Sequence, residues 1–426
     1  MLLLYSIAYT LGFILMLPLF LLRREKYASG FRERLGNYPK FKHDGRKVIW
    51  LHCVSVGETN AARPLVNALI EKFPSHRVIV STTTKTGQEL TRKIFVDKAD
   101  TVFYLPFDWK FSVHRALKNF QPSMLLLMET EIWPRLIVEA KRSGTHVAIV
   151  NGRLSEKSFR RYVKVAGFVR RILGHIDLAL MQGEKDAERI RSLGIDASKT
   201  RIAGNMKFDI SSDASDSELT EHFRERFGID GEKPLIVAAS THEPEEEWIL
   251  ESLANLSKMP VRLVLVPRHP QRFEKVAELL EDSGRTFVRR SDPETENDPS
   301  AEVILLDSIG ELRAVYPLAD IVFVGGSLIP HGGQSILEPA AAGTAIVTGP
   351  FTHNFSDVVK TFLNERALIQ ISDSPAAAAQ LRGTFSELLQ HPEQRNELGR
   401  NALAVIESNR GATARTVDFL SEITDS

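Results

Sequence analysis

Glu58 stands in Val54-Ser55-Val56-Gly57-Glu58-Thr59-Asn60, directly after an apolar run and directly before a helical pattern. A carboxylate at the carboxyl end of a parallel strand is placed to take a proton from a substrate hydroxyl. The same position also complements a helix macrodipole, and spacing alone does not choose between the two. Glu129 and Glu131 follow a second apolar run, Met124-Leu125-Leu126-Leu127-Met128, in the same topological place. Successive loops at that edge of a sheet converge, so one of these acids can stand near Glu58, although Pro134 equally marks an ordinary helix start.

The second half of the chain carries groups suited to an anion. Pro267-Arg268-His269-Pro270 follows an apolar run and offers a guanidinium for a phosphate, or else a surface turn. Gly325-Gly326-Ser327 follows another, and Gly332-Gly333-Gln334-Ser335-Ile336-Leu337-Glu338 opens a helix. Glycines at such a junction let backbone N–H groups approach an anion. Glu338 would repel a phosphate and is better suited to accepting hydrogen bonds from ribose hydroxyls. Three such elements at the strand ends of one domain favour a nucleotide site over coincidence.

Several chemistries lose their support. No G-x-G-x-x-G follows the first strand, and G-x-x-x-x-G-K-[ST] and G-x-S-x-G are absent. Thr84-Lys85-Thr86-Gly87 lacks the glycines that would precede a phosphate-loop lysine. In His242-Glu243-Pro244-Glu245-Glu246 a glutamate stands where a zinc-protease helix needs its second histidine, so no metal and no organic cofactor is expected. Cys53 is the only cysteine, which excludes an internal disulfide and a cysteine-built zinc site. Lys and Arg total 54 and Asp and Glu total 54, so no whole-molecule basic footprint for nucleic acid exists.

The elements that must position these residues follow from the pattern. At ~150 residues per domain, 426 residues point to more than one domain. The runs at 48–54, 78–82, 124–128, 147–150 and 178–181 are continuously apolar, as strands covered on both faces of a parallel sheet are, and helix-length segments separate them. The pattern restarts after the polar stretch 211–217 with runs at 235–239, 263–266, 303–306, 321–324 and 345–347. Two doubly wound α/β domains are expected, at 23–215 and 216–426, with a ligand cleft between them.

Leu2 to Leu22 contains no charged residue and is long enough to cross a ~30 Å hydrocarbon core. A signal peptide would open with basic residues, and a buried core helix would be shorter. Arg23, Arg24, Lys26, Arg32 and Arg34 follow at once. Residues 1–22 therefore read as one membrane-spanning anchor with everything after it in the cytoplasm, in preference to an interfacial helix lying in the headgroup plane.

Taken together, these motifs resemble the Kdo transferases, the 3-deoxy-D-manno-octulosonic acid transferases of lipopolysaccharide assembly. The resemblance runs from the apolar N-terminus through Ser55-Val56-Gly57-Glu58, Met128 to Pro134, Gly152-Arg153-Leu154-Ser155, Gly204-Asn205-Met206-Lys207-Phe208-Asp209, Ser240-Thr241-His242-Glu243, Val266 to Pro270, Gly325 to Ala340, and Gly349-Pro350 with His353-Asn354-Phe355. It implies a GT-B glycosyltransferase fold of two Rossmann-like domains: an acceptor-binding N-terminal one and a donor-binding C-terminal one, whose last helix packs back on the first. It implies CMP-Kdo as donor, a lipid A precursor as acceptor, transfer with inversion and no metal, at the cytoplasmic side of the inner membrane. By the same resemblance Glu58 is the general base, and Glu129 and Lys207 support the transition state. Pro267, Arg268, Ile309, Gly310, Glu311, Ser335, Ile336, Leu337 and Glu338 match CMP-binding segments. Ser335-Ile336 departs from the usual Asn-Pro, and Pro244 replaces a usual Gly. Two further readings stay open: a GT-B enzyme using a UDP-sugar on another lipid, and a non-catalytic membrane-anchored nucleotide-sugar binder.

Overall fold

The continuous apolar runs become interior strands because both of their faces find cover. The computed structural model describes residues 1–22, 29–210, 214–254, 260–372 and 376–424. They form two compact units, Met1–Asp209 with Asn409–Ser426, and Ile210–Ser408.

The first unit holds strands β1 (Lys47–Cys53), β2 (His76–Thr82), β3 (Thr101–Tyr104), β4 (Met124–Met128), β5 (His146–Gly152), β6 (Leu178–Met181) and β7 (Thr200–Ile202). They lie in the order β3-β2-β1-β4-β5-β6-β7. All neighbours are parallel; β1 pairs with β2 from Lys47↔His76 to Cys53↔Thr82, and with β4 from Ile49↔Met124 to His52↔Leu127. Alternation sends Trp50, Leu125, Leu127 and Ile149 into one core and Ile49, Leu51, Leu126 and Val150 into the other. Burial on both faces, not strand length, is why these segments read as unbroken hydrophobic runs. The second core also takes Ala412, Val417 and Leu420 of the last helix, Ala412–Thr424. That helix is tied down by Asp209, whose carboxylate accepts the N–H groups of Gly411 (2.7 Å) and Thr413 (2.6 Å).

The second unit holds β8 (Leu235–Thr241), β9 (Arg262–Pro267), β10 (Phe287–Arg289), β11 (Val303–Leu305), β12 (Ile321–Val324), β13 (Ala345–Thr348) and β14 (Ile369–Gln370) in the order β10-β11-β9-β8-β12-β13-β14, again all parallel. The division falls at Asp209 and Ile210 rather than at 215 and 216. The helix Ala214–Phe227 belongs wholly to the second unit, because Phe223 and Phe227 are buried there and Arg226 pairs with the buried Asp298 at 2.8 Å.

Helix Leu2–Leu22 departs from the expectation of a free span. Tyr5 donates to Asp108 at 2.7 Å, Trp109 donates to Thr10 at 3.0 Å, and Arg135 donates to Ser6 at 2.9 Å and to the Leu2 carbonyl at 3.1 Å. Tyr9 and Phe13 meet the ring of Trp109 edge-on. Leu2, Tyr5, Ser6, Tyr9, Thr10 and Phe13 recur at helical spacing, so one stripe of the first three turns is fastened to the first unit. Leu3, Leu4, Ile7 and Leu11 point away and are exposed, as are Ile14 to Leu17 and Leu19. The basic residues Arg23, Arg24 and Lys26 lie outside the described residues.

Candidate active site

In each sheet the chain reverses its direction of winding at one pair of strands, β1/β4 and β8/β12; Glu58, Glu129 and Ser335 to Glu338 follow β1, β4 and β12, while Lys207, Arg268 and Ile309 to Glu311 follow β7, β9 and β11.

In the first unit Ser55 caps helix Val56–Lys72, accepting the Glu58 N–H, while Glu58 reaches back. Glu58 Oε2 accepts the Val54 N–H at 2.7 Å and Oε1 accepts the Ser55 hydroxyl at 3.1 Å. This is close to the reciprocal capping box of Ser-x-x-Glu, so the helix-start role is real. It does not exhaust the residue. Glu58 is 7% exposed, and burial pushes its pKa up to about 7; the Val54 N–H opposes the shift, and the charges of Glu129 and Glu131 add to it. A carboxylate poised near neutrality is what a general base requires.

Glu129 and Thr130 follow β4 with φ of 49° and 69°, two consecutive non-glycine residues in left-handed conformation. Such residues cost about 1–3 kcal/mol each and persist where surrounding structure holds them. Here Val150 O accepts the Glu129 N–H at 3.1 Å and helix Pro134–Arg142 follows immediately. The turn brings the Glu129 carboxylate to 2.9 Å from Lys207 Nζ. Lys207 rides on the short turn Met206–Phe208, fixed by Asn151, which accepts the Met206 N–H, and by Asn205, which accepts the Lys207 N–H, each at 3.0 Å. Asn151 is itself left-handed, at φ 51°. Burial and the Glu129 charge raise the pKa of Glu131. Glu58, Glu129 and Lys207 thus belong to one electrostatic neighbourhood, and Asn151 and Asn205, which sequence reasoning did not single out, position it.

In the second unit Pro267 ends β9 and is buried, and Arg268 beside it is exposed, with no side-chain partner among the described residues. Ile309, Gly310 and Glu311 form the turn after β11; Ile309 is 77% exposed, and the Glu311 carboxylate is held by Arg290 at 3.1 Å and by the Ser308 hydroxyl. The Ser335 hydroxyl accepts the Leu337 N–H at 3.4 Å just before the short helix Leu337–Ala341, Ile336 and Leu337 are core residues, and burial raises the pKa of Glu338 against the pull of Arg313 and Arg268.

The amides from Gly325 to Leu328 are already engaged, that of Gly325 by the Ala239 carbonyl. Glu245, fully buried at the start of helix Glu245–Ala254, accepts N–H groups from His242 (2.9 Å), Gly326 (2.7 Å), Ser327 (3.0 Å) and Leu328 (2.9 Å). The Gly333 N–H goes to the Gly326 carbonyl at 2.7 Å. The anion cradled here is the protein's own carboxylate. Gly325 is required, because a Cβ there would lie 2.7 Å from Ser240 O and from Thr241 Cα. No sequence motif announced this role; Glu245 was visible only as part of a failed zinc motif.

Comparison with known proteins identifies the family and the fold. The profile of the 3-deoxy-D-manno-octulosonic-acid transferase (kdotransferase) family matches residues 29–210. A 3-deoxy-D-manno-octulosonic acid transferase of Haemophilus influenzae is 37% identical over 399 residues, covering 93% of this chain and 91% of that protein. One of Bordetella pertussis is 33% identical over 384 residues, covering 88% and 87%. Among solved structures, MurG of Acinetobacter baumannii superposes with a TM-score of 0.56 at 14% identity, covering 88% of this chain and 99% of that one. That likeness speaks for the fold, a GT-B arrangement of two parallel α/β units.

Proposed function

The chain belongs to the 3-deoxy-D-manno-octulosonic acid (Kdo) transferases, glycosyltransferases, and on that premise we propose that it transfers Kdo from CMP-Kdo to a lipid A precursor, with Glu58 as general base. The observation that carries the reading is the Glu58 carboxylate, buried at the β1/β4 switch point with its pKa pushed up to about 7. An acceptor hydroxyl oxygen attacks the anomeric carbon as Glu58 takes its proton. The bond from that carbon to the phosphate oxygen breaks on the opposite face, CMP leaves with the electron pair, and configuration inverts. Lys207, balanced against Glu129, and the unpartnered Arg268 are the cations assigned to the charge that develops, so the reading needs no metal.

The test is incubation of the purified chain, in detergent and excess chelator, with CMP-Kdo and a lipid A precursor, followed by mass spectrometry of the lipid. Increments of one or more Kdo units are expected. An unmodified lipid with CMP-Kdo still intact would overturn the proposal in favour of a UDP-sugar donor.

We further place the enzyme at the cytoplasmic face of the inner membrane, with helix Leu2–Leu22 lying along the surface rather than crossing it. The segment Leu2–Leu19 has a mean hydropathy of 2.0. Its first three turns are fastened to the first unit, which leaves Ile14–Leu22, about 13 Å of helix, against a hydrocarbon core of ~30 Å. A cysteine introduced next to Met1 should be labelled by an impermeant maleimide only after spheroplasts are lysed. Labelling in intact spheroplasts would restore the spanning orientation.

A further inference from the structure

Three histidines from separate loops of the second unit converge beyond adjacent strands in the order β9-β8-β12: His269, His242 and His331. The rings of His242 and His331 are 4.2 Å apart between centroids, and those of His242 and His269 are 5.3 Å apart. His242 is 7% exposed, and its buried Nε2 has no hydrogen-bond partner. A buried polar atom without a partner is costly and calls for a ligand or water. His331 and His269 are exposed, so the cluster opens to solvent on that side. The glycine at 326 keeps it open: a Cβ there would stand 3.2 Å from His242 Cδ2.

The charges that act most strongly on the His242 ring are those of His331, His269, Arg272 and Arg268, all basic. Glu245 takes the backbone N–H of His242 and the loop amides instead. Arg272 is engaged by the buried Glu246 at 2.7 Å and by Glu243 at 3.7 Å. The cluster is therefore rich in N–H groups, has basic neighbours, and stands beside Arg268. Burial and the basic neighbours hold the His242 pKa down to about 4, and a carboxylate placed against the rings would accept hydrogen bonds from their N–H groups and favour a second proton on them.

We propose that His242, His331 and His269 receive the carboxylate of the sugar acid, leaving the phosphodiester of the donor to Arg268. The inference rests on the transferase reading above and deepens it. A donor built from an ulosonic acid carries two anions, one on the phosphate and one on the carbon next to the reacting centre. The Gly326–Leu328 backbone cradle is already occupied by Glu245, and the imidazole cluster stands beside it at the same sheet edge. A neutral hexose would leave Nε2 of His242 unpaired, so the cluster also selects for an acidic sugar.

The test is calorimetry on the full chain in detergent, without acceptor, titrating CMP-Kdo and CMP separately into wild type, H331Q and H242Q. The wild type should bind CMP-Kdo about tenfold or more tighter than CMP, as expected for hydrogen bonds to a charged group. Both variants should lose most of that difference while their CMP dissociation constants stay within twofold. His331 is exposed, so H331Q keeps the test intact if the buried H242Q fails to fold. A wild type that does not distinguish the two ligands would overturn the proposal, as would variants that retain the difference or that lose CMP affinity equally. Because no acceptor is present, these outcomes are separate from the lipid assay, where an unmodified lipid would remove the CMP-Kdo reading itself.

Discussion

Glu58 and Glu245 occupy equivalent places, each following the first strand of its sheet, each at the start of a helix, and each shielded from solvent. Burial raises the pKa of both. They differ in what surrounds the carboxylate. Glu58 accepts one backbone N–H and one hydroxyl, with Glu129 and Glu131 nearby as like charges. Glu245 accepts four backbone N–H groups drawn from two loops. A carboxylate saturated with amides has no lone pair left for a substrate proton and serves as a clamp. One that is desolvated but only half satisfied is a base. Topology supplies the position, and the hydrogen-bond count decides the chemistry.

The strongest way to break this contrast is to neutralise each acid in turn. Glu58→Gln should lower kcat for Kdo transfer by roughly 10²–10⁴, the usual contribution of a positioned general base, with CMP affinity unchanged. The wild-type rate should climb with pH through about 7 as Glu58 loses its proton, and that limb should vanish in the variant. Near-normal turnover in the variant would remove the base assignment. Glu245→Gln places an NH₂ group among N–H donors and should cost about 2–3 kcal/mol of stability. A thermal melt reads that loss, and the pH limb of any residual activity should stay in place. A stable Glu245→Gln chain whose limb moved would reverse the two roles.

A subtler difference separates the acids thermodynamically. The folded-state pKa of Glu58 lies above its ordinary value of 4.5, so its contribution to stability is fully present below that value and is lost as pH rises through about 7. Glu58→Gln has no such loss. Its melting temperature relative to wild type should therefore rise between pH 5 and pH 8.5, and a gap that stays flat across this range would mean that Glu58 is not desolvated.

Much of this contrast was legible in the sequence at the Glu58 end and little of it at the Glu245 end. Strands buried on both faces announce themselves as unbroken apolar runs, and a carboxylate at the end of such a run, as at Glu58 and Glu129, is a local signal. Three of the four N–H donors to Glu245 lie some eighty positions away, at Gly326 to Leu328, so Gly325-Gly326 reads as an open anion cradle although Glu245 already fills it. The side-chain contacts of helix Leu2–Leu22 were equally out of reach of the sequence. Hydropathy averages over all its residues, whereas its docking is decided by a stripe from Leu2 to Phe13 whose partners, Asp108, Trp109 and Arg135, are about a hundred residues distant. Lys207 was legible only through family resemblance, since its pairing with Glu129 depends on the Asn151 and Asn205 turns.

The smallest expected effect sharpens the contrast most finely. If like charge contributes to the tuning of Glu58, removing the nearest like charge must relax it. The Glu129 charge raises the Glu58 pKa, second to burial among the raising influences. Glu129→Gln should therefore shift the acidic limb of the rate profile toward lower pH, by less than one unit because burial still dominates. Its effect on maximal rate is a separate matter, since Lys207 loses its partner at the same time. Lys207→Met supplies the control: it removes the ion pair but leaves the Glu129 charge, so its limb should not move downward. A downward shift in both variants would trace the effect to the broken pair. A shift in Glu129→Gln alone would establish that Glu58 is held near neutrality by a neighbouring carboxylate as well as by burial, whereas burial and four backbone N–H groups dominate at Glu245.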